Sequence, residues 1–175
     1  SQLNAAFGNL KAQNITELVL DLRYNSGGSV ATATRLASMI TGQFQNQIFA
    51  KEQWNAKIED YYNASNPSGL FNLFTTKLGN NETISSLNLT KIYILTTKST
   101  ASASELIING LKPYINVVQI GDATVGKNVG SITLYDSPSF GKENRSTKHR
   151  YAMQPLVLKI VNKLGFGDYT NGLLP

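Results

Sequence analysis

The chain has 175 residues, 41% of them hydrophobic and 15% charged, with a formal net charge of +5. That length buries a sizeable core, and the composition excludes both a highly charged disordered tail and a membrane-embedded chain, leaving a globular domain. With no cysteine and a lone histidine, His149, disulfides, thiolate chemistry and a multi-histidine zinc site are excluded as well, so neither a metal nor a cofactor is expected.

The first element is a short amphipathic helix carrying Ala5, Ala6, Phe7 and Leu10. After a turn at Gln13-Asn14, the run Leu18-Val19-Leu20-Asp21-Leu22 reads as a strand covered on both faces. It ends in Arg23-Tyr24-Asn25-Ser26-Gly27-Gly28. Ser29 is placed to cap a helix with Val30, Ala33, Ala37 and Ile40 on one face, which Gly42 stops. A polar, Asn-rich insertion then spans residues 43–90. It carries Phe44, Phe49, Trp54, Tyr61, Tyr62, Phe71 and Phe74, and a structureless loop of that length is uncommon, so strands or a small subdomain over the sheet are expected. The aromatics read first as its anchors, with a substrate-contacting wall as the functional alternative.

A second strand, Ile92-Tyr93-Ile94-Leu95-Thr96, leads through a loop at 97–103 into a helix with Leu106, Ile107, Gly110 and Leu111. Ser104 or a neighbour caps that helix, and Pro113 ends it. Residues 115–120 supply a third strand, completing a β-α-β pattern whose loops at 23–28, 97–103 and 121–127 should gather at one sheet edge. Val129, Ile132 and Leu134 follow with two-residue periodicity, and 155–161 is a further strand candidate.

Gly121-Asp122-Ala123-Thr124-Val125-Gly126-Lys127-Asn128 matches a phosphate-binding loop except at its last position, where Asn128 replaces the magnesium-binding hydroxyl. A phosphate loop also needs a helix directly after the lysine, and the sequence after Lys127 has strand character instead, so nucleotide binding is disfavoured. Ser99-Thr100-Ala101-Ser102-Ala103-Ser104-Glu105 offers hydroxyls at a strand-to-helix junction, the position of a nucleophile elbow, although a serine-rich helix cap is the simpler reading of that segment alone. A serine needs a base, and on the same edge the candidate is Lys127. A lysine acts as a base only when neutral, which a buried pocket would favour. The Gly27-Gly28 turn and the amide of Ala103 could together supply an oxyanion hole.

These three blocks, Leu18 to Gly28, Thr100 to Glu105 and Gly126-Lys127, resemble in order and spacing the C-terminal processing (tail-specific) serine peptidases. The resemblance implies an α/β fold of the crotonase/ClpP-like kind, with a mixed, largely parallel sheet and helices. It further implies a Ser-Lys peptidase acting through an acyl-enzyme, with Ser102 as nucleophile, Lys127 as general base, Gly28 and Ala103 as oxyanion donors, and Gly27 in support. Ser104 resembles a helix-cap or supporting residue. Many members carry a glutamine four residues after the lysine that orients its amine; this chain has Ser131 there, so either Ser131 or another group takes that part. Members usually carry a substrate-gating PDZ domain upstream, and none is expected within these 175 residues.

Residues 1–175 would form the peptidase domain, with 43–90 inserted. The abrupt ends at Ser1 and Pro175 suggest the core of a longer protein. Residues 152–155 and 167–172 are similar to lipoprotein-type members from Bacteroidetes-like bacteria, which implies an exported, envelope-associated parent, membrane-anchored as a lipoprotein, with a peptide or protein substrate. Two other readings stand beside this one. The first is a catalytically silent peptide- or ligand-binding module on the same fold. The second is an anion or nucleic-acid binder using Lys142, Arg145, Lys148 and Arg150, which is disfavoured because the footprint is small, so no nucleic-acid partner is expected. His149, in the same basic run, is the reserve base.

Overall fold

A computed structural model describes residues 2–175; Ser1, where the expected domain begins, lies outside the described residues. Helix α1 (Gln2–Ala12) leads to strand β1 (Val19–Asp21) and helix α2 (Val30–Thr41). The Ser29 side chain accepts from Thr32 N at the start of α2, and Gly42 closes its end in the left-handed conformation with φ 78°. The cap and stop signals of the sequence are thus used as expected.

The insertion forms strand β2 (Ile48–Gln53), helix α3 (Ala56–Ser65), a 3-10 turn and strand β3 (Phe71–Leu73). Its aromatics divide by position. Phe49 and Phe74 are buried and meet edge to face, Phe44 stacks obliquely on Phe74 and on Tyr114, whereas Tyr61 is exposed. The core-facing set anchors the insertion, because Gly110 on the central helix leaves room for the Phe49 ring: a Cβ there would stand 2.4 Å from Phe49 Cε2.

Strand β4 (Lys91–Thr96), helix α4 (Ala103–Leu111) and strand β5 (Asn116–Gly121) form the expected β-α-β unit. The parallel sheet has the order β1-β4-β5, with Leu20 opposite Ile94 and Ile94 opposite Gln119. Burial alternates along β4, with Ile92, Ile94 and Thr96 inside. One face of this sheet is therefore covered, and β1 is an edge strand with Val19 59% exposed. The continuous apolar run of β1 suggested two covered faces; Val19 and Asp21 share a face that is exposed, so only the Leu20 side of the strand turns inward.

Every residue of α4 is buried, including Glu105 and Asn109. The helix lies in the core between the parallel sheet and a four-stranded antiparallel sheet of order β3-β2-β9-β6, formed with β6 (Val129–Ser131) and β9 (Leu156–Val161). The fold is thus a mixed α/β architecture in which the parallel part is three strands wide. Between β6 and β9, strands β7 (Leu134–Tyr135) and β8 (Ala152–Met153) make an outlying hairpin. Among the described residues, no helix is long and apolar enough to cross a membrane.

Candidate active site

Parallel strands deliver their carboxyl ends to one edge, and the three loops that leave β1, β4 and β5 meet there. Thr100 Oγ1 donates to Leu22 O at 2.8 Å, and Ala101 N donates to Asn25 O at 3.2 Å. Ser104 Oγ donates to the Asn25 side-chain oxygen at 2.9 Å, which makes Ser104 a strut between two loops. The third loop joins through Val125 N, which donates to Thr100 O at 2.9 Å.

Ser102 stands at the junction of the β4 loop and α4 with φ 57° and ψ −118°. A positive φ in a residue with a Cβ costs about 1–3 kcal/mol and persists only where the surroundings enforce it. Two contacts enforce it here. Gly27 packs so closely that a Cβ on it would lie 2.7 Å from Ser102 Cβ and 2.8 Å from Ala103 N, and Gly27 itself has φ 105°. On the other side, Ser102 N donates to Glu105 Oε2 at 2.7 Å, one arm of a capping box.

Glu105 is fully buried, and it reaches beyond its own helix. Its Oε2 also accepts from Lys127 N at 2.9 Å, while its Oε1 accepts from Gly126 N and Thr124 Oγ1, each at 2.6 Å. The backbone of the serine and that of the lysine thus share one carboxylate oxygen. The lysine loop is strapped from outside by the chain's last turn: Thr124 N donates to Leu173 O at 3.1 Å, and Leu173 N to Thr124 Oγ1 at 2.8 Å. Gly126, at φ 93°, lies under Thr170, where a Cβ would come within 2.3 Å of the carbonyl oxygen. Tyr169 is buried beside Glu105, and burial together with that carboxylate pushes its phenol well above the ordinary tyrosine range.

Among the described residues, the amides of Gly28 and Ala103 donate to no protein acceptor. Both border one open apolar groove of about 140 Å³, whose walls include Leu22, Ala33, Leu36 and Ile107. The Ser102 amide, by contrast, is committed to Glu105.

The remaining residues named from sequence fall differently. Lys127 is exposed rather than enclosed in a pocket: its backbone N–H is held inward by Glu105 Oε2, while the residue itself lies at the surface. No hydrogen bond joins its amine to Ser102 Oγ, nor to Ser131, which is exposed at the end of β6. Asn128 is buried and its side chain donates to Gly167 O at 2.5 Å, so this position serves the fold; β6, not a helix, follows the lysine. His149 pairs with Asp136 at 3.2 Å and stacks on Tyr151 within the β7–β8 hairpin. The sequence reading missed Glu105, Asn25 and Thr124 as organisers. For Glu105 a signal existed, since Ser102-x-x-Glu105 ahead of an apolar run is a capping-box pattern.

Residues 1–151 match the sequence model of Peptidase family S41. The chain belongs to peptidase family S41. It is 30% identical over 160 residues to the chloroplastic C-terminal processing peptidase of Tetradesmus obliquus, an alignment covering 91% of this chain and 29% of that protein. Among solved structures, this S41 chain superposes on a Bacteroides fragilis protein assigned to the S41 proteases with a TM-score of 0.80 and 30% identity, over 99% of this chain and 40% of that one. The photosystem II D1 C-terminal processing protease shares the fold, with a TM-score of 0.64 at 20% identity, over 99% of this chain and 37% of its own. The S41 chain therefore spans 29% of the curated relative and 40% or less of these two solved structures.

Proposed function

We propose that this S41 chain carries the catalytic centre of a serine endopeptidase in which Ser102 is the nucleophile and Lys127 the general base. The reading rests chiefly on one observation: Ser102 is held at φ 57° on a strand-to-helix turn whose neighbouring amides, Gly28 and Ala103, have no protein acceptor. In the first step Ser102 Oγ attacks the scissile carbonyl carbon and its proton passes to Lys127 Nζ. The carbonyl oxygen becomes an oxyanion that accepts from the two amides. Collapse breaks the C–N bond, the amine leaves with the proton from Lys127, and water then hydrolyses the ester by the reverse traffic. Each oxyanion donor is worth about 3 kcal/mol in hydrolases of this kind.

The groove beside Gly28 and Ala103 suits a small apolar side chain next to the cleaved bond. The name of the curated relative, a C-terminal processing peptidase, supports protein tails as the substrate class, and an exported, envelope-associated parent protein is part of the same proposal. Ser102→Ala and Lys127→Ala in the full-length protein are each expected to reduce peptide hydrolysis by at least about 10³-fold with the fold retained; activity persisting in either variant removes that residue from the dyad.

A second reading, a silent binding module on the same edge, is favoured by the exposure of Lys127 and the lack of a bond between its amine and Ser102. Catalytic contacts often tighten only when substrate binds, which accommodates the open Ser102–Lys127 arrangement within the peptidase reading. A serine-directed fluorophosphonate separates the two readings, since only an activated hydroxyl becomes labelled.

A further inference from the structure

We infer that Glu105 is the positioning residue of the dyad, one carboxylate that sets the backbone of Ser102 and of Lys127 together. The inference rests on the Ser-Lys reading above and extends it to a residue that does not touch substrate. A helix cap needs one acceptor for one orphan amide. Glu105 instead takes four donors, three of them outside its own helix, from a fully buried position.

A buried carboxylate is costly unless it is hydrogen-bonded throughout, and these bonds meet that requirement. Their arrangement has a geometric consequence. The Ser102 amide at 2.7 Å and the Lys127 amide at 2.9 Å converge on the same oxygen, so the two backbone nitrogens are held by a single atom. The other oxygen fixes Gly126 and Thr124, and through Thr124 the strap at Leu173. The same carboxylate draws the Ser102 amide away from the substrate edge and so leaves the oxyanion to Gly28 and Ala103. Lys127 is exposed, and the bond from its backbone N–H to Glu105 is what fixes where its side chain starts.

The test is Glu105→Gln in the full-length protein. In either amide orientation the Gln nitrogen faces a backbone N–H, of Gly126 or of both Ser102 and Lys127, so at least one bond becomes a repulsion while volume is kept. The expected result is a fall in kcat of about 100-fold with KM within about threefold, and a parallel fall in the rate of Ser102 labelling by a fluorophosphonate, with circular dichroism unchanged. Glu105→Asp keeps two acceptor oxygens and is expected to recover about tenfold of that loss.

A Gln variant with kcat within about threefold of the parent overturns the assignment, as does equal loss in both variants carried by KM or by unfolding. Should the Gln variant not fold, the Asp variant is read against the parent: a kcat lowered by about tenfold at constant KM supports the assignment, and an unchanged kcat overturns it. Ser102→Ala is run alongside. Hydrolysis surviving in Ser102→Ala means that the Ser-Lys reading itself fails, whereas its loss there with a fully active Gln variant removes Glu105 alone.

Discussion

At Ser102 two requirements meet in one residue, a side chain able to attack and a backbone turned to present it. Gly27 is the counterpart that makes the turn possible, because no side chain stands between it and the Ser102 Cβ. Gly27→Ala combines an unfavourable φ with contacts below 3 Å, and it is expected to destabilise the protein by at least about 1–3 kcal/mol and to lower activity further by shifting Ser102; a melting curve and kcat measured on one preparation check both. Gly28 differs, since a Cβ there would meet nothing within 4 Å. Tyr169 offers a test with a pH sign. Its phenol is raised by burial and by Glu105, so above the unfolded value of 10.0 the unfolded chain loses a proton that the folded chain keeps. The associated stability is present below pH 10 and is lost as pH climbs toward the raised value. Tyr169→Phe is expected to flatten the decline of stability with alkaline pH, read from denaturant midpoints between pH 9 and about 11; an unchanged slope would assign the decline to other groups.

Among the elements, those with local signals were readable in the sequence. Ser29 and Gly42 bracket α2, and the β-branched and aromatic run at 92–96 marks β4, because caps and local composition depend on neighbours in the chain. The convergence of three loops was readable too, as a rule of parallel sheets. What depends on pairing was not. Whether β1 is central or at an edge is decided by strands far along the chain, and an apolar run suits either. The hydrogen bonds of Glu105 reach residues 19 to 22 positions away, so a capping pattern revealed one of its four partners. A buried pocket would have favoured a neutral Lys127, yet the side chain of a loop residue is free to leave the surface that holds its backbone, and Lys127 is exposed. The strap at 169–173 brings its own prediction. Gly172→Ala would place a Cβ 2.2 Å from Thr124 O at φ 92°, and it is expected to loosen the lysine loop and lower kcat more than KM. A fall in KM affinity alone would show that the strap serves binding instead.

For the molecule as a whole, α4 unites fold and site. Its hydrophobic face fills the space between the two sheets, and its first turn presents Ser102 and Glu105 at the edge where β1, β4 and β5 end. A change deep in this helix therefore reaches both properties: Gly110→Ala would press on the Phe49 ring at 2.4 Å and is expected to cost about 1–3 kcal/mol by overpacking, seen as a lower melting temperature. The basic hairpin at 134–153 stands apart from this arrangement, with His149 engaged by Asp136, and nothing in the chemistry proposed here draws on it. The most direct measurement of the Ser102–Lys127 assignment is the site and rate of fluorophosphonate labelling, followed by mass spectrometry in the full-length protein and in its Lys127→Ala variant. A single adduct on Ser102 that fails to form in Lys127→Ala is the expected result; an adduct elsewhere, or one formed at the same rate without the lysine, would contradict it.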